Sequence, residues 1–75
     1  MNISELKTKL ESDKKFANIY SLGAPKEERL CLMEEDNQWN IFCCERGKRI
    51  LVQSCTTEQE ACDAFWDFIN YSSNL

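Results

Sequence analysis

Two short turns in the middle of the chain constrain its fold more than any other sequence feature. One begins at Asp36-Asn37 and the other at Arg46-Gly47, and they separate three runs that read ERLCLMEE, QWNIFCCE and KRILVQSC. Runs rich in β-branched, aromatic and alternating apolar residues, joined by such turn residues, are typical of β-hairpins. The sequence therefore predicts a three-stranded antiparallel meander.

The two hairpins can be tested against each other, because directly opposed residues in an antiparallel pair share one face of the sheet. With two-residue turns, the second hairpin opposes Ile50 to Cys43, Val52 to Ile41 and Ser54 to Trp39. The first hairpin opposes Leu32 to Ile41 and Leu30 to Cys43. Both turns select the same inner face, which comprises Leu30, Leu32, Trp39, Ile41, Cys43, Ile50 and Val52.

A helix is predicted on each side of the meander. In TTEQEACDAFWDFINY, Thr57 and Glu60 form a capping box ahead of an apolar run. The stripe that we expect to cover the inner face comprises Ala61, Cys62, Phe65, Phe68 and Ile69. Near the N terminus, apolar residues recur at helical spacing after a cap at Asn2 or Ser4. The stripe of this first helix comprises Ile3, Leu6 and Leu10.

These elements predict one small α+β domain over residues 1–75, in the order α-β-β-β-α. A three- or four-stranded antiparallel β-meander packs against the C-terminal helix, with the optional fourth strand at an edge near Ile19. The other sheet face would carry Cys31, Met33, Phe42, Cys44 and Leu51. Because this face is too apolar to be left bare, we expect the first helix or a partner to cover part of it.

Charge excludes two classes of partner. The net charge is -4 and the isoelectric point is near 4.7, whereas a nucleic-acid backbone or an anionic membrane rewards clustered Lys and Arg. Charges recur throughout MNISELKTKL, and no apolar run approaches the roughly 20 residues of a membrane span. We therefore expect a cytoplasmic protein that attracts a basic partner and binds neither nucleic acid nor membrane directly.

The sequence offers no set of residues for catalysis or metal binding. It has no histidine, which removes Ser-His and Cys-His catalysis and the commonest metal ligand. Its five cysteines include no C-x-x-C pair, and alternation along a strand points Cys43 into the core and Cys44 away from it. We expect free thiols that act as small apolar side chains, no metal, no cofactor and no enzymatic activity.

Two acidic groups and one aromatic residue are the candidate partner-binding residues. The first group lies at the tip of the first hairpin and comprises Glu34, Glu35 and Asp36. The second lies on the outer face of the C-terminal helix and comprises Glu60, Asp63 and Asp67. Trp66, at the rim of the apolar stripe, suits either the edge of the core or an interface. A solvated turn is the simpler interpretation of the first group.

Four short motifs are spread over about the last three quarters of the chain: YSL at 20–22, Trp39, ERG at 45–47 and TEQEAC at 57–62. Together they resemble the pattern of small bacterial immunity proteins of polymorphic-toxin and contact-dependent-inhibition systems. The chain departs from the pattern at Cys55, where such proteins have Phe, and at Cys43 and Cys44. The resemblance implies an inhibitor that has no catalytic activity of its own and that neutralises one cognate toxin.

Two other functions stay open. One is a small acidic regulatory or nucleic-acid-mimicking protein of mobile-element origin, which a regularly spaced ladder of carboxylates would support. The other is a thiol switch at Cys44, which titration of accessible thiols would reveal. If the proposed partner is a basic nuclease toxin, the acidic surface would speed its association.

Overall fold

The chain folds as a helix, a four-stranded sheet and a second helix. The computed structural model describes residues 1–73. Its elements are α1 (Ile3–Glu11), a 3-10 turn (Lys14–Phe16), β1 (Tyr20–Leu22), β2 (Leu30–Glu35), β3 (Gln38–Glu45), β4 (Lys48–Cys55) and α2 (Glu58–Ser73). The predicted α+β class, with a helix at each end and a short additional strand near Ile19, is confirmed.

The sheet is mixed, so the prediction of a wholly antiparallel sheet is wrong. The strand order is β1-β2-β3-β4, with antiparallel pairing from β2 to β4 but parallel pairing of β1 with β2. The loop at 23–29 makes this possible by running back beside β3, where Glu27 bridges Cys44 and the N–H of Glu28 donates to the Cys44 carbonyl at 2.7 Å. The chain therefore enters β2 from the same end as β1.

Both predicted two-residue turns are present. Positive φ at both central residues, 50° and 65° at Asp36-Asn37 and 52° and 79° at Arg46-Gly47, is the backbone pattern of a type I′ hairpin turn. Three of the five predicted pairs are confirmed: Leu30 with Cys43, Leu32 with Ile41, and Cys43 with Ile50. Cys43 and Cys44 therefore lie on opposite faces of β3.

The register of the second hairpin changes halfway along. A β-bulge between Ile41 and Phe42 places Gln53 opposite Ile41 and Cys55 opposite Trp39, so the predicted pairing of Val52 and Ser54 is wrong. Ile50 and Val52 also fail to join the core, with 52% and 41% of their surface exposed. The physical reason is that β4 is an edge strand, so it has one neighbour, and turn chemistry alone does not reveal a bulge.

Both helices pack on the inner face of the sheet. The main core combines apolar residues of α1, the 3-10 turn, the sheet and α2: Leu6, Leu10, Phe16, Leu32, Ile41, Cys55, Ala61, Cys62, Phe65 and Ile69. Burial of a large apolar side chain contributes about 1.5–3 kcal/mol, so the apolar face predicted for α2 is the main stabilising layer. Phe68 packs against this core from a partly buried position.

A second, smaller core lies on the outer face and consists of Cys31, Phe42 and Cys44, with Met33 against it. The predicted covering of this face by α1 is wrong, because α1 packs on the opposite side, and covering by a partner stays a prediction. The covering groups are the loop at 23–29 and the side chain of Arg49, whose guanidinium carbon lies 3.8 Å from the centre of the Phe42 ring.

Candidate functional site

The tip of the first hairpin carries fewer free charges than its sequence indicates. Glu35 accepts hydrogen bonds from both terminal nitrogens of Arg49, one at 3.1 Å, and from the amide of Asn40 at 3.1 Å. The hydrogen bonds from Arg49 and then from Asn40 lower the pKa of Glu35 to about 2. Glu35 is therefore tied to β3 and β4, and its charge is matched within the sheet.

Glu34 and Asp36 remain available at this tip. Both are exposed, and neither forms an ion pair with another residue in the described part of the chain. Glu34 lies opposite Trp39, on the helix side of the sheet, whereas Asp36 lies within the turn. The structure therefore separates the predicted cluster of three carboxylates into one paired and two available groups.

The outer face of α2 forms a single polar stripe. Glu60, Asp63, Asp67 and Tyr71 are all exposed and follow each other at intervals of three, four and four residues, which aligns them along one side of a helix. We call these four residues the α2 stripe. Helix α2 carries no Lys or Arg to offset its carboxylates. The predicted outward orientation of Glu60, Asp63 and Asp67 is confirmed.

One carboxylate of the α2 stripe has a structural partner. Asp63 accepts a hydrogen bond from the amino group of Met1 at 2.9 Å, and this contact raises the pKa of that amino group. A neighbouring carboxylate, Glu58, accepts the backbone N–H of Ile3 at 2.7 Å. These contacts join the start of α1 to α2. They leave Glu60 and Asp67 as the carboxylates of the stripe without an ion pair among residues 1–73.

Trp66 is packed between the helical elements. Its ring centre lies 5.4 Å from that of Phe16, and the ammonium of Lys9 lies 5.2 Å from the ring. The side chain is partly buried against the main core. These contacts give Trp66 a structural task at the rim of the core, and its role as an interface anchor stays a prediction.

Tyr71 is a candidate that sequence reasoning missed. It is 69% exposed and continues the α2 stripe one turn beyond Asp67. Large aromatic side chains that combine apolar area with a hydroxyl are enriched among the residues that dominate binding energy. The four-residue spacing from Asp67 is the signal that would have found it.

The cysteines are free thiols, most of them buried. All five are free, and four are buried: Cys31, Cys44, Cys55 and Cys62. Burial raises the pKa of the Cys31 and Cys43 thiols, and it raises the pKa of the Cys62 thiol to about 11. Because the thiolate is the reactive form, the raised pKa disfavours thiol chemistry at these three cysteines. Among residues 1–73, no three Cys, Asp or Glu side chains are grouped as metal ligands.

An open groove of about 890 Å³ lies along the β1 edge, beside α1. Its charged lining mixes Lys7, Lys26 and Arg29 with Glu34. The Ser21 hydroxyl, also at this edge, donates to the Ala24 carbonyl at 2.6 Å and so holds the loop rather than facing a ligand. The groove combines both signs of charge without a nucleophile activated by a neighbouring base.

Comparisons with known proteins give no indication of what this chain does. No protein-family model, curated protein or solved structure matches this chain. Within residues 1–73, no helix has the length and apolar character that crossing a membrane requires.

Proposed function

We propose that this chain is a non-catalytic binding protein that neutralises a basic cognate protein, in the manner of the toxin-immunity proteins that its sequence resembles. The observation that carries the proposal is the α2 stripe, in which exposed carboxylates lead to an exposed tyrosine on a helix without a basic residue. Such a surface attracts a basic protein at long range and offers an aromatic contact at short range.

The core-facing side of α2 leaves its outer side free for this task. Phe65 and Ile69 are fully buried against the sheet, so the backbone of the helix is held firmly while the opposite side meets solvent. A surface on a rigid element loses little conformational freedom on binding, which favours affinity. Glu60 and Asp67 can therefore be replaced without disturbing the contacts that hold the helix.

The hairpin tip lies at the same end of the sheet as the start of α2. Trp39, just after the first turn, pairs with Cys55, three residues before the helix begins. Glu34 and Asp36 thus add negative charge near the Glu60 end of the α2 stripe. This arrangement supports one acidic end of the domain, where sequence reasoning treated the two clusters as alternatives.

A nucleic-acid mimic receives less support. Carboxylates three or four residues apart on a helix are separated by about 4.5–6 Å along its axis, but Asp63, the middle of the three carboxylates in the α2 stripe, is matched by the amino group of Met1. The regular ladder of negative charge that a phosphate mimic needs is therefore interrupted at Asp63.

The neutralising activity is tested with the protein encoded immediately upstream of this chain. We expect that protein to stop bacterial growth when produced alone, and co-expression of this chain to restore growth through a complex that co-purifies. An upstream protein without toxicity, or toxicity that this chain does not relieve, would overturn the immunity function.

The binding surface is tested with two matched charge reversals, Asp67→Lys on the α2 stripe and Glu11→Lys on α1. Both residues are exposed helical carboxylates, and each substitution replaces -1 with +1. We expect Asp67→Lys to slow association with the upstream protein about tenfold and to flatten its salt dependence, because steering is lost. Glu11→Lys should change the rate less than about twofold. Equal effects of the two variants would rule out the α2 stripe.

A further inference from the structure

Strand β4 is a long edge strand with an exposed apolar centre. It contains eight residues and pairs with β3 alone within the sheet, whereas the opposite edge, β1, contains three. Its consecutive residues Ile50, Leu51 and Val52 are 52%, 61% and 41% exposed. An edge strand also presents unpaired N–H and C=O groups, so a long apolar one is a template for another strand.

The features that usually protect an edge strand lie on either side of Leu51 here. Lys48 and Arg49 precede the apolar run, and the β-bulge falls at Val52, which has no partner in the β3 register. Arg49 is held over the outer face by Glu35 and the Phe42 ring, so its charge is already matched. The three central residues therefore lack an adjacent free charge that would repel an incoming strand.

We propose that β4 pairs with β4 of a second copy of this chain, in antiparallel orientation about a two-fold axis at Leu51. In this register Leu51 faces its own copy, and Ile50 faces Val52 of the other chain. A two-fold interface requires a self-complementary surface, and the apolar run satisfies that requirement because its three members are all aliphatic. The two four-stranded sheets then join at the segment around Leu51.

The alternation of peptide groups between the turn and the β-bulge agrees with this register at Leu51. In a two-residue hairpin the residues flanking the turn, here Glu45 and Lys48, form a hydrogen-bonded pair, and hydrogen-bonded and non-bonded pairs then alternate. Leu51, three residues after Lys48, belongs to a non-bonded pair with Phe42, so its N–H and C=O are directed to the open edge. Two copies of Leu51 can therefore exchange both hydrogen bonds.

Charge also selects a second copy in antiparallel orientation. The pairing places Lys48 of each chain opposite the neutral Ser54 of the other, whereas a parallel pair would place Lys48 beside Lys48. Strand β4 contains no Asp or Glu, so the acidic groups of α2 and the hairpin tip lie outside the seam. The second copy thus covers the apolar run without opposing like charges.

The proposal is tested by measuring the mass of the full chain by sedimentation and light scattering. We expect twice the 8.8 kDa of one chain. Leu51→Lys and Leu51→Glu should each weaken self-association at least about tenfold, because two like charges then meet at the axis. An equimolar mixture of the two variants should recover the dimer, since Lys then faces Glu. That recovery would distinguish pairing with a second copy from pairing with another protein.

Tyr71→Lys is the matched control, because Tyr71 is as exposed as Leu51 but lies on α2. It should leave the dimer unchanged. Circular dichroism checks that each variant folds, and Ile50→Lys at the neighbouring exposed position gives the same readout if Leu51→Lys does not fold. A mass of one chain for the parent protein, a dimer that persists in the folded Leu51 or Ile50 variants, or a mixture that stays monomeric would overturn the proposal.

Discussion

Phe42 and Leu51 offer a direct test of how the outer face of the sheet is covered. They are opposed in the β3–β4 register and so lie on the same face, yet Phe42 is 1% exposed and Leu51 is 61% exposed. The difference arises because the Arg49 guanidinium and the loop at 23–29 cover the cluster around Phe42, whereas Leu51 lies at the open edge. Truncation of each residue to Ala should therefore have very different costs.

The expected magnitudes follow from burial. A buried Phe→Ala substitution costs about 3–5 kcal/mol. Complete burial of Leu contributes about 1.5–3 kcal/mol, and scaling by the two-fifths of Leu51 that is buried gives about 0.6–1.2 kcal/mol. At about 0.05–0.15 kcal/mol per residue, a domain of 75 residues has about 4–11 kcal/mol of stability. Phe42→Ala should therefore leave the fold marginal, while Leu51→Ala should be tolerated.

Urea unfolding followed by far-ultraviolet circular dichroism measures both variants against the parent chain. The measurements belong at the lowest protein concentration that gives a signal, so that self-association does not add to the stability of the parent chain. A loss of less than about 1 kcal/mol for Phe42→Ala would refute the second core. Similar losses for the two variants would refute the assignment of β4 as the open edge.

Three further predictions concern the hydrogen bonds of Glu35, the N-cap of α1 at Asn2 and the thiol of Cys62. The pKa of Glu35 falls from its ordinary 4.5 to about 2, so its contribution to stability should be complete above pH 4.5 and lost as pH falls toward about 2; Glu35→Gln should remove that part of the pH dependence of the urea midpoint. Asn2→Ala should cost about 1 kcal/mol by chemical denaturation, because the Asn2 side chain accepts the Glu5 N–H at 2.8 Å. Cys62, with a pKa of about 11 and no exposed surface, should resist a thiol reagent at neutral pH until the protein is unfolded, and rapid labelling of Cys62 in the native state would contradict its burial.

Local features of this protein are readable from the sequence. The two turns require backbone conformations that Asn, Asp and Gly adopt readily, and such residues occupy three of the four central positions, Asp36, Asn37 and Gly47. The boundary of α2 follows from Thr57, whose hydroxyl accepts the Glu60 N–H at 3.2 Å. The outward orientation of Glu60 and Asp67 follows from helical spacing alone. Each of these outcomes depends on neighbours within a few residues, so no tertiary contact is needed to predict it.

The environment of the acidic residues was decided by tertiary contacts. Glu35 is matched by Arg49, 14 residues away, and Asp63 by the amino group of Met1, 62 positions away. Spacing places a carboxylate on a surface, but it does not state which cation the fold brings to that surface. Only the folded structure therefore shows which carboxylates have a structural partner and which are available for binding.

The sequence likewise does not determine what covers each face of the sheet. Alternation assigns each strand residue to a face, but it does not show whether a helix, a loop or solvent lies over that face. The outer cluster around Phe42 is covered by a loop that reaches it through parallel pairing of β1, and Ile50 is exposed because β4 ends the sheet. Strand order and the path of a connecting loop depend on contacts between distant segments, and those contacts form only when the whole chain packs.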